Sequence, residues 1–189
     1  MASADITKRV IADTMKALME EKPLSKISVG NIVEHCGINR NSFYYHFKDK
    51  YDLINWIFYT EITQTLNRED ILAASSWTLI EGTLAFLYEN KSFYRNALSV
   101  SGQNSFAEYF IDLLKMLVKT RTASMFEEDE DKDFVATFFA DAFVAAVFRW
   151  LTDGAKMPPE KMVALIRKAA TGGAMRLIEE GDIVIDPST

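Results

Sequence analysis

The sequence predicts an all-α fold in two parts, a small domain over residues 1–60 and a larger one over residues 61–189. Apolar residues recur at steps of three and four along most of the chain, which is the period of a helix with one buried face. Capping residues, glycines and prolines separate these segments, and no segment predicts a strand. The charge also differs between the two parts. Residues 1–60 carry eight basic and seven acidic side chains, whereas residues 61–189 carry thirteen basic and twenty acidic side chains.

The composition limits the class of protein. With 189 residues, 49% of them hydrophobic, the chain can bury a sizeable core. Its single cysteine, Cys36, excludes an internal disulfide framework, and no basic segment followed by an apolar run begins the chain. We therefore expect a cytoplasmic protein. The net charge of −6 belongs to the second part, so the weakly basic first part can still meet phosphates.

The first predicted helix begins after Asp5, a favourable N-cap residue, and ends near Glu21. Pro23 closes the segment, because proline lacks an amide hydrogen and disfavours helical geometry in the residue before it. The apolar residues of this helix share one face and are Ile6, Val10, Ile11, Met15, Leu18 and Met19.

Two short helices follow around a tight turn. Ser28 is a suitable N-cap for the first of them, Gly37 stops it at the C′ position, and Asn39 can cap the second. Ile38 lies between them, where such a turn faces the core. This is the spacing of a helix-turn-helix, although two short helices around a glycine also occur in ordinary bundles.

The second short helix carries side chains that suit DNA. If Phe43 and Phe47 face inward, the opposite surface is rich in hydrogen-bond donors. Arginine can bind guanine, asparagine can bind adenine, and hydroxyl groups suit phosphate oxygens. The alternative is a solvated polar face, but such a short helix has little reason to expose two tyrosines to water. The residues of this surface are Arg40, Asn41, Ser42, Tyr44 and Tyr45.

Residues 42–47, Ser-Phe-Tyr-Tyr-His-Phe, with Gly37-Ile38-Asn39 before them and Lys50 and Leu53 after, resemble the recognition-helix signature of the TetR family of bacterial regulators. The resemblance covers residues 5–60. It implies that Arg40 and Asn41 face bases and that Tyr44, His46 and Lys50 contact phosphates. Ser28 fits the Ser or Thr with which the family usually starts the second helix. Asn41 departs from the pattern, because the family often has glycine there.

A longer helix from Asp49 through Leu66 leaves the helix-turn-helix and forms a lever between the two parts. The apolar pattern predicts further helices in the rest of the second part. We predict the acidic run Glu127–Asp133 to be a solvated loop. The first of these helices starts at Ser75 or Ser76 and ends at Asn90-Lys91, and others cover 92–100, 104–125 and 134–151. The last extends from Pro158 to Gly181, with Gly172-Gly173 as a kink or a contact point.

The predicted helix Phe134–Leu151 has apolar residues on nearly all of its sides, so other helices must bury it on more than one side. Its longest uncharged run, Ala142–Phe148, is too short to span a bilayer. We expect no membrane contact and a homodimer through residues 134–180 instead, with close packing at Ala136, Ala140, Ala145 and Ala146. The last two helices resemble the pair that forms the dimer interface in TetR regulators.

The second part is rich in aromatic residues, and the family resemblance implies that it encloses an effector pocket. A fully packed interior is the alternative. The segment Lys91–Leu98 also resembles a TetR subgroup of dihydroxyacetone-kinase regulators, which implies a partner protein as the effector and a role as activator. The residues that we predict to line a pocket are Tyr94, Tyr109, Phe110, Met116, Phe139 and Phe143.

Nothing in the sequence predicts catalysis, a metal site or a cofactor. The chain has no Gly-rich phosphate loop, no Gly-x-Ser-x-Gly and no His-Glu-x-x-His motif. His35 and Cys36 are adjacent and diverge on a helix, so they do not form a metal site by themselves. The sequence thus predicts a dimeric regulator that binds double-stranded DNA and responds to a small-molecule or protein effector. A helical adaptor that binds only protein is the alternative.

Overall fold

The computed structural model describes residues 3–66, 75–100, 102 and 105–173, and within these residues the chain is helical without strands. The helices, numbered in chain order, are α1 (Ser3–Glu21), α2 (Val29–Cys36), α3 (Arg40–His46), α4 (Lys50–Thr65), α5 (Ser76–Glu89), α6 (Lys91–Leu98), α7 (Phe106–Thr122), α8 (Asp129–Thr152) and α9 (Pro159–Lys168). A single 3-10 turn, Leu24–Lys26, joins α1 to α2, and a π-helical turn, Ala169–Gly173, follows α9. The predicted all-α class is confirmed.

Helices α1 to α3 form the N-terminal head, and local capping fixes their ends. The Ser28 hydroxyl accepts a hydrogen bond from the Asn31 N–H at 3.1 Å, and the Asn31 side chain accepts one from the Ser28 N–H at 2.9 Å. Gly37 ends α2 with φ of 68°, which is favourable only for a residue without a Cβ atom. The Asn39 side chain caps α3 through the Ser42 N–H at 2.8 Å. The three caps predicted for α2 and α3 are therefore confirmed, whereas Asp5, predicted as the N-cap of the first helix, lies inside α1 in its first turn.

Helix α4 belongs to both parts of the molecule. It begins beside the head, where the Asp49 carboxylate caps it through the N–H groups of Tyr51 and Asp52. Farther along, Phe58 is buried among the rings of the C-terminal half, with centroid separations of 5.1 Å to Phe106 and 5.3 Å to Phe110. The predicted domain boundary at residue 60 thus lies inside a continuous helix.

Helices α7 and α8 are the two longest helices of the C-terminal half, and they pack against each other. Asp129, Glu130 and Asp131 lie in the first turn of α8, so the prediction of a loop over Glu127–Asp133 is wrong for most of that run. The physical reason is the helix dipole, because carboxylates are stabilised near a helix N-terminus. Lys119 of α7 also pairs with Asp133 at 2.7 Å.

The predicted last helix changes its geometry within the described residues. Helix α9 ends at Lys168, and Thr171 and Gly172 have non-helical dihedral angles, with φ of 129° at Gly172. The change of geometry coincides with the predicted kink at Gly172-Gly173. The remainder of the predicted helix, and the link over residues 67–74, lie outside the described residues.

Candidate nucleic-acid interface

Helix α3 separates an apolar face from a polar one. Phe43 and Phe47 are buried in the head, and their rings lie 5.9 Å apart. On the opposite side Tyr44 is 53% exposed and Tyr45 is 82% exposed. Such exposure of large aromatic side chains is unusual unless the surface has a partner. The helix therefore presents a ready contact surface with two phenolic hydroxyl groups.

Arg40 and Asn41 extend this surface, because both side chains are exposed at the start of α3. The Arg40 guanidinium lies over the first turn of α2. Its Nη2 atom is 3.1 Å from the point that a Cβ atom on Gly30 would occupy, and the Ser28 hydroxyl is 3.4 Å from that same point. Ser28, Gly30 and Arg40 therefore form one patch at the junction of the two short helices.

Gly30 is a functional candidate that we did not predict. The signal was present, because a glycine inside an amphipathic helix costs about 1 kcal/mol relative to alanine and often marks a close approach. Here the approaching group is the Arg40 guanidinium, which a side chain at position 30 would displace.

Three further predicted contact residues are half-buried or already engaged within the protein. Ser42 and His46 are half-buried, and the His46 ring lies edge-on to that of Tyr45 at 5.0 Å. The hydroxyl of Ser28 is exposed but already engaged with Asn31 in the cap of α2. These three residues border the exposed surface made by Arg40, Asn41, Tyr44 and Tyr45, which we call the α3 face.

Lys50 has different partners from the predicted phosphate. Its ammonium group donates to the carbonyl oxygens of Leu24 at 2.8 Å and Ile27 at 2.7 Å. Burial lowers the pKa of Lys50, while the Asp49 carboxylate opposes that shift. Lys50 thus fastens the start of α4 to the turn before α2. Contact between Lys50 and a phosphate stays a prediction and would use the third N–H of the ammonium group.

The six residues predicted to line an effector pocket do not converge on one cavity. Tyr94 and Phe110 are buried in the aromatic core, where both contact the ring of Phe58. Tyr109 and Phe143 are half-buried at its edge, whereas Met116 and Phe139 are exposed. A pocket lined by all six residues would require the exposed Met116 and Phe139 to face the same space as the buried Tyr94 and Phe110. The helices would have to be rearranged for this, because a helix directs side chains on its opposite faces away from each other.

Tyr94 is unusual within this core. Its side chain is fully buried, and its hydroxyl has no hydrogen-bond partner among the described residues. Burial and the nearby Glu61 carboxylate raise the pKa of Tyr94, so the phenol is neutral throughout the physiological range. Elsewhere, an open groove of about 400 Å³ lies between α5 and α9, but none of the six predicted residues lines it.

Helix α8 has two apolar faces. The inner face packs within the subunit and consists of Ala136, Ala140, Val144, Val147 and Leu151. This placement corrects the prediction that Ala136 and Ala140 contact a second subunit. The outer face, which we call the α8 face, is exposed and consists of Phe134, Phe138, Ala142, Ala145 and Phe148. Ala146 is half-buried between the two faces.

Comparison with known proteins adds a second line of evidence. Residues 11–57 match the family described as bacterial regulatory proteins, tetR family. Residues 76–172 match a family described as the C-terminal region of transcriptional regulators. Together the two matches cover most of the head and most of the described part of the C-terminal half.

Individual proteins are similar along most of the chain. The HTH-type dhaKLM operon transcriptional activator DhaS of Lactococcus lactis subsp. lactis (strain IL1403) is 26% identical over 152 residues, which are 77% of this chain and 79% of that protein. The solved structure of a dihydroxyacetone kinase operon activator DhaS has a TM-score of 0.58 and 24% identity, covering 86% of this chain and 93% of that one. A TetR transcriptional regulator from Streptococcus agalactiae has a TM-score of 0.62 and 21% identity, covering 86% of this chain and 92% of that one.

Proposed function

The chain belongs to the tetR family of bacterial regulatory proteins, and from this premise we propose that it binds a two-fold symmetric DNA operator as a homodimer through the α3 faces of its two heads. The observation that carries the proposal is the exposure of Tyr44 and Tyr45 beside Arg40 and Asn41 on a helix whose other side is buried. Arg40 and Asn41 are the base-reading candidates, because their side chains match the hydrogen-bonding groups of guanine and adenine. Tyr44 and Tyr45 offer hydroxyl groups to phosphates.

The proposed dimer forms through residues 134–180, with the α8 face at its centre. Phe134 and Phe138 are 72% and 60% exposed, and exposed apolar patches of this kind mark interaction surfaces. Leu165 of α9 is also exposed and extends the apolar surface. Residues 174–180 lie outside the described residues. A second copy of the same face would cover these rings in an isologous contact.

Helix α8 is also long and apolar enough, by length and hydropathy, to cross a membrane. Its outer side carries the exposed charges Asp141 and Arg149, and its inner side is packed against the rest of the subunit. Both features favour a protein partner over lipid, since a charge in the middle of a helix, such as that of Asp141, is costly in a bilayer. We propose a cytoplasmic regulator.

The effector is proposed to be a partner protein, and the regulator an activator. Two observations support this reading. The relative of Lactococcus lactis is named as an activator of the dhaKLM operon. In addition, the predicted pocket residues of this chain are divided between a packed aromatic core and the surface, and a surface can bind a protein without opening the core.

Titration of labelled duplex DNA at several salt concentrations tests DNA binding. A duplex from the region upstream of the protein's own gene, found by footprinting, serves as the ligand. We expect the affinity to fall steeply between about 50 and 200 mM salt, because each neutralised phosphate releases counterions. Addition of candidate partner proteins and metabolites to the same titration identifies the effector.

A matched variant pair locates the binding surface. The double variant Arg40→Ala/Asn41→Ala should abolish preference for the footprinted duplex, whereas Lys156→Ala, which removes an exposed charge between α8 and α9, should leave it unchanged. Absence of salt-dependent binding to any duplex would contradict the proposal and favour the alternative of a helical adaptor that binds only protein.

A further inference from the structure

Asn96 joins the C-terminal half to the head through three hydrogen bonds. From its place on α6, its side-chain amide nitrogen donates to the carbonyl oxygens of Met19 at 3.0 Å and Lys22 at 3.1 Å. Its side-chain oxygen accepts from the N–H of Leu24 at 2.8 Å. The Asn96 side chain thus binds, through both of its N–H groups and its oxygen, a segment more than seventy residues away in sequence.

The end of α1 lacks a donor that Asn96 supplies. In a continuing helix the Met19 carbonyl would accept from the N–H of the residue four positions later. That residue is Pro23, which has no N–H. A buried carbonyl without a partner costs about 1–3 kcal/mol, so a donor from outside the helix stabilises this end. The donor is the Asn96 amide in the other half of the molecule, and its hydrogen bond to the carbonyl is directional.

The segment that Asn96 holds leads directly to the helix-turn-helix. The turn Leu24–Lys26 is bonded on its N–H side to Asn96 and on its carbonyl side to Lys50. Ser28, two residues after this turn, caps α2. Asn96 is therefore bonded to a residue that lies four positions before the N-cap of α2.

The other contacts between the halves constrain the angle less. Phe58 of α4 is surrounded by aromatic rings, and edge-on contacts of this kind are less directional than hydrogen bonds. Lys16 pairs with Glu61 at 2.6 Å, and its ammonium group lies 5.8 Å from the centre of the Phe93 ring. Both charged side chains of this ion pair are about one-third exposed, which weakens the pair through solvent screening.

We propose that Asn96 is a positioning residue that fixes the orientation of the head relative to the C-terminal half. In a dimer joined through the C-terminal halves, this orientation sets the separation of the two α3 faces and therefore the operator spacing that the protein accepts. The effect on operator spacing rests on the proposed function. The fixed orientation of the head does not rest on it, so either claim can fail without the other.

The first experiment measures orientation without DNA. Spin labels are placed at Tyr45→Cys on the head and Met116→Cys on α7 in a Cys36→Ser chain, both positions being exposed. The labelled protein is diluted with unlabelled protein so that distances within one subunit dominate. We expect one narrow distance distribution in the parent chain and a broad one after Asn96→Ala. An unchanged distribution would overturn the proposal.

The second experiment measures operator spacing. Affinities are compared for the footprinted duplex and for a duplex with one base pair inserted between the half-sites. We expect Asn96→Ala to retain affinity for the natural duplex within about threefold and to reduce the penalty of the insertion about tenfold, a change that the loss of its three hydrogen bonds is large enough to produce. Asn96→Asp should act in the same way, since a carboxylate keeps an acceptor for Leu24 but has no N–H for Met19 and Lys22.

Asn90→Ala is the matched control, because the Asn90 side chain donates only to Phe86 in its own half. It should change neither the distance distribution nor the spacing penalty. Equal loss of affinity for both duplexes after Asn96→Ala, with a narrow distance distribution, would show a merely stabilising residue and overturn the positioning role. A parent protein that binds no duplex contradicts the proposed function, and the distance measurement still decides the role of Asn96.

Discussion

Helices α3 and α8 both expose aromatic side chains, but the rings differ in chemistry and in their neighbours. On α3 the exposed rings are Tyr44 and Tyr45, beside Arg40 and Asn41. On the α8 face the rings are phenylalanines separated by alanines. A tyrosine combines an apolar ring with a hydroxyl that can bond a phosphate oxygen, whereas a phenylalanine gains only from being covered by another apolar group.

This difference supports the proposal that the two faces bind different kinds of partner. The α3 face matches a polar, charged ligand, and the α8 face matches a second protein surface. The two roles depend on each other, because one head offers few base contacts and two heads joined by α8 would bind far more tightly. Separate variants can test each face.

The largest effect is expected from the α8 face. The double variant Phe134→Glu/Phe138→Glu places two carboxylates where the proposed dimer buries two rings. We expect a monomer in sedimentation at micromolar concentration and a loss of operator affinity of about 100-fold or more, since the second head no longer binds as part of the same molecule. Met116→Glu, at an exposed apolar position outside residues 134–180, is the control and should remain a dimer. A dimer that survives both substitutions would place the interface elsewhere.

The next largest effect is expected from Lys50, which joins the start of α4 to the turn before α2 and so supports the helix-turn-helix. Lys50→Met removes the donor that binds the Leu24 and Ile27 carbonyls. Hydrogen bonds to a charged group contribute about 1.5–3 kcal/mol, so the free energy of unfolding should fall by about that amount in urea denaturation. DNA affinity should fall for all sequences alike. Lys48→Met, at an exposed neighbouring position, should leave the free energy of unfolding within about 0.5 kcal/mol of the parent value.

Arg40 should affect base preference specifically. Arg40→Ala should cost about 1–3 kcal/mol at a single base position and relax the preference there, because it would remove the proposed bidentate contact to one base. Binding to a set of duplexes substituted one position at a time measures this. An equal loss on every duplex would assign Arg40 to phosphate binding and would remove the distinction between the base-reading and phosphate-binding parts of the α3 face.

Much of the head could be predicted from sequence because its determinants are local. Ser28, Gly37 and Asn39 act on residues within one helical turn, so their types and spacing define the helix ends. Phe43 and Phe47 are four residues apart, which places both rings on one face. The acids at the start of α8 carried a similar local signal, since carboxylates favour a helix N-terminus.

The partners of Lys50 and Asn96 could not be predicted because they depend on tertiary packing. Each side chain binds backbone groups whose positions are set by other helices, and no pattern near Lys50 or Asn96 encodes them. Helix α8 posed a related difficulty. When apolar residues surround a helix, the sequence shows that two faces need cover but does not distinguish the inner from the outer one. This explains why Ala136 and Ala140 were assigned to the wrong face.

The smallest expected effect concerns Gly30, whose missing side chain leaves room for the Arg40 guanidinium. Gly30→Ala should raise the free energy of unfolding by about 0.5–1 kcal/mol, because alanine favours a helix over glycine. It should also displace Arg40 by a few tenths of an ångström and weaken the base preference a few-fold, since bidentate bonds are sensitive to position. The two effects have opposite signs. The same substitution in an Arg40→Ala chain should keep the gain in stability and lose the effect on base preference. If the preference still changes there, Gly30 acts on the operator by a route that does not involve Arg40.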